Sequence, residues 1–377
     1  MKLSIRYNIL CLLLTLMPFA TTSAQKVTLG SYTLKDGGQY QGEMVGGKAQ
    51  GKGSATYKNG DTYEGEYSKG KRHGYGVYTF ADGEKYEGSW FQDQQHGKGT
   101  YYFNNNNKYD GLWFRDYQQG HGVMYYYNGD IYDGQWYQDK RQGKGKYIFS
   151  TGAYYEGEWK DDMKNGKGKY DWGDGSVYDG QWLNNQRSGK GTYRYADGDV
   201  YTGQWAEDIQ NGKGIYKYAN KDVYEGSYVQ GEREGEGIFR YANGDVYTGH
   251  FKNGEKDGQG TLMWRNGDSY TGQWKADKYN GKGVLKKKEG DTFDGTFKNG
   301  KMDGEMIVHF SDGTKFRGTY RDGLPHGKAI EEDKDGNRFE GTYVKGERDG
   351  SYVLKDKDGQ ITEQGTYNKG EKSRKRK

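Results

Sequence analysis

The sequence predicts an all-β fold: an elongated, single-layer, twisted antiparallel sheet of β-hairpins that repeat every 23 residues. The first observation is the period itself, because an aromatic residue followed two positions later by glycine recurs without a slip, as in repeat architectures. The second is composition. Hydrophobic residues make up only 31% of the chain but aromatic residues 16%, so burial must come from stacked rings. The third is an alternation of side chains with period two, which is typical of strands. The fourteen repeats begin at Tyr40, Tyr63, Tyr86, Tyr109, Tyr132, Tyr155, Tyr178, Tyr201, Tyr224, Tyr247, Tyr270, Phe293, Phe316 and Phe339.

We number each repeat from its leading aromatic residue as position 0. Glycine follows at +2, an aromatic at +4, glycines at +11 and +13, large residues at +15 and +17, and usually glycine at +20. Positions 0, +2 and +4 are expected on one face of the first strand, and +11, +13, +15 and +17 on one face of the second. Since the glycines lack a Cβ atom, we expect rings from neighbouring strands to lie on all three of them.

The link between repeats is predicted to be a three-residue loop. In the repeat of Tyr63 this loop is Ala81, Asp82 and Gly83, and it keeps the flanking aromatic residues on one face. A type I turn closed by a left-handed residue at +20 satisfies this geometry. Asn106 and Lys221, which replace glycine in that slot, are therefore expected to have positive φ. Glycine fills the slot at Gly60, Gly129, Gly152, Gly175, Gly198, Gly244, Gly267 and Gly290.

The chain begins with the pattern of a secretory signal peptide, which we assign to residues 1–24. Lys2 and Arg6 precede an apolar run at 9–16, and small residues lead to a predicted cleavage between Ala24 and Gln25. The apolar run is much shorter than the ~20 residues that a transmembrane helix needs. We therefore expect an exported protein without a transmembrane anchor, located in the periplasm, on the cell surface or outside the cell.

The remaining chain divides into four predicted segments. Residues 25–38 form a partial repeat that caps the sheet, residues 39–292 form the regular repeats, and residues 293–368 form degenerate repeats. In the degenerate repeats Met306, Ala329 and Tyr352 replace the second glycine of the pair. Residues 369–377 form a basic tail. Atypical terminal repeats are expected to protect the open edges of a sheet.

Charge and residue types exclude several classes of function. The formal net charge of +4 comes from the leader and the tail, so the repeats lack the basic surface of a nucleic-acid-binding protein. Cys11 is the only cysteine, so the mature chain forms no disulfide. His73 and His96 occupy the same slot in adjacent repeats, about 10 Å apart, which is too far to share a zinc ion. We predict no metal and no cofactor.

Acidic residues at +1 recur in most repeats, whereas a catalytic pair of carboxylates is normally a singular arrangement. We expect these acids to pair across strands with the lysines of the Gly-Lys-Gly motif, and we predict that the protein is not an enzyme. The lysines of that motif are Lys52, Lys98, Lys144, Lys167 and Lys190.

The pattern Tyr-Glu-Gly-Glu-Tyr at 63–67, followed after six residues by Gly-x-Gly and then by an aromatic residue before Asp-Gly, resembles the MORN repeat (membrane occupation and recognition nexus). The resemblance covers almost the whole mature chain. It implies one hairpin per repeat in an antiparallel sheet, and a role in phosphoinositide or membrane binding, homodimerisation or scaffolding. The variable surface is expected to be the six-residue loops from +5 to +10. Their charges run from +3 at 68–73 to −2 at 206–211, so they lack the polybasic stripe that anionic lipid would require.

Tryptophan at +4 in six consecutive repeats is the candidate binding feature. One interpretation is that these rings cover the glycines of the sheet. The other is that a single-layer sheet leaves part of this face as a groove for a glycan, a lipid, a peptide or a second copy. We predict an exported, non-enzymatic scaffold or protein-interaction rod, or alternatively a glycan- or lipid-binding module. A protein partner or self-association is expected, and no nucleic acid. The candidate residues are Trp90, Trp113, Trp136, Trp159, Trp182 and Trp205.

Overall fold

The structure, a computed structural model, describes residues 26–373, which form thirty-two β-strands and no helix. The predicted cleavage point at Ala24 and Gln25, the rest of the leader and residues 374–377 of the basic tail lie outside the described residues. The chain divides into two compact units, one ending at Gly120 and the other beginning at His121. Within residues 26–373, no segment forms a helix suited to crossing a membrane.

In the first unit, each strand pairs in antiparallel fashion with the next along the chain. Every full repeat supplies one hairpin, as the sequence predicts. The strands are β1 (Thr28–Thr33), β2 (Gln39–Val45), β3 (Lys48–Thr56), β4 (Thr62–Ser68), β5 (Lys71–Thr79), β6 (Lys85–Phe91), β7 (Gln94–Tyr102) and β8 (Lys108–Phe114). The next strand, β9 (Tyr117–Tyr125), contains the division between the units.

The second unit has the same antiparallel order of neighbouring strands. The all-β fold class is therefore confirmed. The strands are β10 (Ile131–Tyr137), β11 (Lys140–Ile148), β12 (Tyr154–Lys160), β13 (Met163–Asp171), β14 (Val177–Leu183), β15 (Gln186–Arg194), β16 (Val200–Ala206), β17 (Ile209–Lys217), β18 (Val223–Val229), β19 (Glu232–Arg240), β20 (Val246–Lys252), β21 (Glu255–Met263), β22 (Ser269–Lys275), β23 (Lys278–Lys286), β24 (Thr292–Lys298), β25 (Lys301–His309), β26 (Lys315–Arg321), β27 (Leu324–Glu332), β28 (Arg338–Val344), β29 (Glu347–Arg348), β30 (Gly350–Lys355), β31 (Ile361–Asn368) and β32 (Glu371–Lys372).

The loop between repeats has the predicted three-residue form. The amide of Phe80 donates to the carbonyl of Glu84 at 2.9 Å, and the amide of Gly83 donates to the carbonyl of Phe80 at 3.0 Å. The φ angle is 93° at Gly83, 65° at Asn106 and 76° at Lys221. The prediction that the two non-glycine residues adopt the left-handed conformation is confirmed.

The other end of the hairpin differs from the prediction of a six-residue loop. Ser68 pairs with Lys71, so the strands continue into this segment and only Lys69 and Gly70 form the turn. Both turn residues have positive φ, 54° and 84°, which is the geometry that suits the twist of the flanking strands. The expected six-residue loop at +5 to +10 is therefore wrong.

The glycine at +11 also has a different role from the one expected. Gly74 has a φ of 63° and lies where the register shifts between Gly65 and Tyr67. A Cβ atom on Gly74 would lie 2.2 Å from the carboxylate of Glu66, a residue whose position at +3 belongs to the other face of the sheet. Glycine is required at +11 by a β-bulge, and not as a floor for rings.

The glycines at +2 and +13 do form such a floor, as predicted. A Cβ atom on Gly157 would lie 2.5 Å from the hydroxyl oxygen of Tyr155, and one on Gly168 would lie 2.3 Å from it. The hydroxyl passes over these glycines and donates to the carbonyl of Glu158 at 3.0 Å. In the eleven repeats that begin with tyrosine, the residue at position 0 is less than 2% exposed. These rings form the core of each unit.

The last three repeats change position 0 and position +13 together. Phenylalanine replaces tyrosine at position 0 in the three repeats in which +13 is not glycine. A Cβ atom on Gly295 would lie 2.4 Å from the sulfur of Met306, so the Met306 side chain occupies the space over this glycine. A side chain at +13 therefore fills the place that the tyrosine hydroxyl takes in the regular repeats.

Candidate functional site

The six candidate tryptophans lie inside the layer of rings, where they are between 4% and 6% exposed. Trp159 shows the arrangement. Its ring packs edge-on against Tyr155 of its own repeat and Tyr132 of the preceding one, at 5.1 Å and 5.4 Å between centroids. Its Nε1 donates to the carbonyl of Gly145 at 3.1 Å. Each indole is thus buried and hydrogen-bonded between two repeats.

A cation from the preceding repeat covers several of these rings. The guanidinium carbon of Arg141, at +9, lies 4.4 Å from the centroid of the Trp159 ring. The guanidinium also donates to the carboxylate of Asp162 at 3.0 Å and to its carbonyl at 2.9 Å. Lys164 lies over Trp182 in the same way, at 4.4 Å. This placement corresponds to the interpretation that the indoles cover the sheet glycines, and a role for them in binding stays a prediction.

Two aspartate positions that the sequence analysis did not single out join successive repeats. At +7, Asp162 accepts a hydrogen bond from the backbone amide of Arg141 at 3.0 Å. At +21, Asp130 accepts from the hydroxyl of Tyr147 at 2.7 Å and from the amide of Ser150 at 2.8 Å. The recurrence of aspartate at both positions was the available signal. These residues hold the two ends of neighbouring hairpins together.

The opposite face of the sheet is formed by positions +1, +3, +12 and +14 on either side of the glycines. Its ion pairs are not the ones predicted. Lys146, at +14, lies 3.4 Å from Glu156, at +1 of the next repeat. Among the described residues, no lysine of the predicted Gly-Lys-Gly set forms an ion pair. These lysines are exposed and free to meet a ligand.

Two grooves lie on this opposite face within the second unit. The larger has a volume of about 1030 Å³ and is lined by residues between Lys282 and Val353. The smaller, of about 590 Å³, is lined by residues between Thr202 and Thr248. The backbone at +2 and +13 forms the floor of both grooves; in the larger groove glycine is present only at +2, and +13 is Met306, Ala329 or Tyr352. The sequence analysis did not predict either groove.

The first unit has exposed aromatic rings on the same face. Phe91 and Phe114 are each 47% exposed. With two histidines they form a ladder of rings: His73 to Phe91 at 5.3 Å, Phe91 to His96 at 5.6 Å and His96 to Phe114 at 5.3 Å between centroids. We call these four residues the exposed ladder. It lies away from the tryptophans and has open ring surface.

One hairpin per 23 residues, with a core of rings on one face and a free opposite face, defines a repeat protein of the β-hairpin type. The model of the MORN repeat matches thirteen consecutive stretches of 23 residues, from 40–62 to 316–338. The chain belongs to the MORN repeat family. The fourteenth predicted repeat, from Phe339, is not part of this match, although it forms β28, β29 and β30.

Solved structures show only weak likeness. The TCP10 domain of Danio rerio CPAP in complex with a peptide of Danio rerio STIL is 13% identical, with a TM-score of 0.31, over 72% of this chain and 100% of that chain. The same domain without peptide is 12% identical, with a TM-score of 0.26, over 65% and 99%. A streptogramin B lyase is 13% identical, with a TM-score of 0.13, over 72% and 90%. Likeness at this level carries no argument about function. A search of curated proteins finds no match.

Proposed function

We propose that this chain is an exported, non-enzymatic scaffold that binds a partner protein through the face opposite the tyrosines. Family membership indicates a repeat scaffold. The observation that carries the proposal is the difference between the two faces. The tyrosine face is filled with rings that contact one another and donate hydrogen bonds to backbone carbonyls and aspartate carboxylates, whereas the opposite face keeps apolar side chains in contact with solvent.

These apolar side chains occupy position +14 in repeats of the second unit. Ile307 is 47% exposed and Ile330 is 43% exposed, and both line the larger groove. Exposed apolar side chains gathered at a groove are a typical feature of interaction surfaces. Export is supported by the sequence of residues 1–24, which has the charge, the apolar run and the small residues of a signal peptide.

The proposal can be tested by photo-crosslinking in the native cell. A photo-reactive amino acid at position 330 is expected to give one defined adduct with a partner protein, whereas the same amino acid at position 197, in an exposed turn between repeats, is not. N-terminal sequencing of the mature chain is expected to begin at Gln25. A chain that keeps its leader would refute export. Equal labelling from both positions would refute the assigned face.

A second candidate function is glycan binding by the exposed ladder of the first unit. Phe91 and Phe114 offer open ring surface on which a sugar could stack, and His73 and His96 pack against these two rings. Serine occupies the same +5 slot at Ser68, so Phe91→Ser and Phe114→Ser preserve the fold. Binding to a glycan array that is lost in this double variant would support the candidate, and the absence of any glycan bound by the wild type would eliminate it.

A further inference from the structure

The larger groove runs across strands β23 to β30 and has two regular walls. One wall carries Ile307, Ile330 and Val353 at +14, separated by charged residues at +1. The other carries Thr296, Thr319 and Thr342 at +3, separated by residues at +12. Each wall therefore presents the same kind of side chain once per repeat, or once every second strand.

Two of the three threonines on the second wall present an apolar group to a ligand. The hydroxyl of Thr319 donates to the carbonyl of His326, and that of Thr342 donates to the carbonyl of Asp349. Because these two hydroxyls are used within their own hairpins, the methyl group is the part of each of these two side chains left for a ligand. Methyl groups thus recur on both walls at the same interval.

The interval selects the conformation of the occupant. Two strands correspond to about 9.6 Å. A polyproline II helix has three residues per turn and repeats one face about every 9.3 Å. Two turns of an α-helix take about 10.8 Å, so the side chains of an α-helix would be displaced from the groove's repeats by ~3.6 Å after three repeats. For a polyproline II helix the displacement would be only ~1 Å. An extended strand presents one face about every 6.7 Å and does not match.

The charges of the groove favour a neutral occupant. Its exposed cations are Lys282, Arg317 and Lys328, and its acids are Asp294, Glu305 and Glu340, of which Glu340 pairs with Lys355 at 2.7 Å. Since opposite signs alternate within about 10 Å, a polyanion or a polycation would meet repulsion along its whole length. A neutral segment meets none.

A proline-rich segment also matches the hydrogen-bonding groups of the groove. Proline offers a carbonyl acceptor and no N–H donor. Among the described residues, Lys282, Arg317 and Lys328 form no ion pair, so their N–H groups are available to such carbonyls. The chain itself contains only two prolines, so the occupant comes from another protein.

We infer that this groove binds a proline-rich segment of a partner protein in the polyproline II conformation. Since β29 and β30 both pair with β28, the groove covers seven strand positions, which span roughly 29 Å and correspond to three turns, or about nine residues. This inference rests on the proposed scaffold function and specifies its partner at one surface.

The test uses the full mature chain and a fluorescent decaproline peptide, with binding followed by fluorescence anisotropy. The variant is Ile307→Thr with Ile330→Thr, because threonine occupies the same slot at Thr192 and Thr261 and the fold is preserved. We expect saturable binding to the wild type that is weakened roughly tenfold in this variant. Ile215→Thr with Ile238→Thr, the same change outside the larger groove, is the matched control and is expected to bind normally.

Several results would overturn the inference. They are no saturable binding of decaproline, equal binding of a ten-residue glycine-serine peptide, and equal weakening in both double variants. Dimerisation that the Ile307→Thr and Ile330→Thr changes abolish would show that a second copy fills the groove. If that variant does not fold, Lys328→Ala, at an exposed side chain, supplies the measurement and is expected to weaken binding. If the wild type does not bind decaproline but still forms the crosslink to a partner protein from position 330, this inference is refuted and the scaffold function is retained.

Discussion

The carboxylate of Asp130 accepts a hydrogen bond from the hydroxyl of Tyr147 in the following repeat, with 2.7 Å between the oxygens. Its other oxygen accepts from the amide of Ser150 at 2.8 Å. Burial by itself would raise the pKa of Asp130, but these hydrogen bonds outweigh it and the pKa is lowered from its usual 3.8. The same link joins Asp199 to Tyr216 at 2.7 Å. The buried, charged carboxylate at +21 thus links one repeat to the next by hydrogen bonds.

Replacing Asp130 with alanine is expected to reduce the free energy of unfolding by about 1–3 kcal/mol, because the Tyr147 hydroxyl and the Ser150 amide lose their partner. Urea unfolding followed by circular dichroism measures the change. Glu156→Ala is the control, since its ion pair with Lys146 is exposed and contributes about 0–1 kcal/mol. Equal effects of the two substitutions would contradict the role assigned to Asp130.

Much of this fold could be predicted because each prediction rested on residues close together in one repeat. The period, the strands and the positive φ of Lys221 follow from local spacing and turn geometry. The partnership of Arg141 with Asp162 could not, since the two residues are 21 positions apart and meet only when successive hairpins pair. Arginine, lysine and glutamine alternate at +9, which hides the position in a search for identical residues.

The candidate site could be predicted from the sequence less well than the fold. Of the two interpretations of Trp159, the one with a binding groove left ring surface open because a single layer has no second sheet to cover it. The cover comes instead from Arg141 of the neighbouring repeat, a contact that sequence spacing alone does not reveal. The groove beside Ile330 is lined by side chains at +1, +3, +12 and +14, positions whose residues differ between repeats. The positions that are the same in every repeat predict the sheet, whereas the residues that differ between repeats form the groove.

The position of Trp159 predicts a loss of stability on truncation. Trp159→Ala is expected to cost about 3–5 kcal/mol, since it removes a buried ring and leaves a cavity. Trp159→Phe is expected to cost much less, because phenylalanine fills the same slot at Phe251 and Phe297, where it is also buried. Thermal unfolding of both variants measures this order. A fully stable Trp159→Ala protein that has lost only ligand binding would instead support an open groove at the tryptophans.

The buried tyrosines predict unfolding at alkaline pH. Burial raises the pKa of Tyr201 and Tyr224 to about 12, against about 10 in an unfolded chain. Folding favours the neutral form, so the stability that these residues contribute is fully present below pH ~10 and is lost as the pH rises through about 12. Tyrosinate absorbance and circular dichroism are expected to change together in this range. Complete ionisation at pH ~10 with the sheet intact would show that the rings are accessible to solvent.

The joint change at positions 0 and +13 predicts a coupling between Tyr155 and Gly168. Gly168→Ala alone is expected to cost about 3 kcal/mol, because the new Cβ atom would lie 2.3 Å from the Tyr155 hydroxyl oxygen and the buried ring must move. Tyr155→Phe alone is expected to cost about 1 kcal/mol, for the hydrogen bond to Glu158.

The double variant reproduces a pair that the chain already contains, Phe316 with Ala329. Phenylalanine has no hydroxyl to collide with the methyl group, and without the hydrogen bond to Glu158 its ring can move away, although Cε2 and Cζ of the present ring would also lie 2.5 Å from the new Cβ atom. The double variant is therefore expected to be more stable than the sum of the single changes predicts, by about 1 kcal/mol or more. Urea unfolding of all four proteins gives this coupling energy. The control pair is Gly152→Ala with Tyr155→Phe. A Cβ atom at position 152 would meet no other atom within 4 Å, so Tyr155→Phe relieves no collision there and the two changes are expected to be additive. Additive effects of Tyr155→Phe and Gly168→Ala would mean that the tyrosine hydroxyl is not what restricts position +13 to glycine.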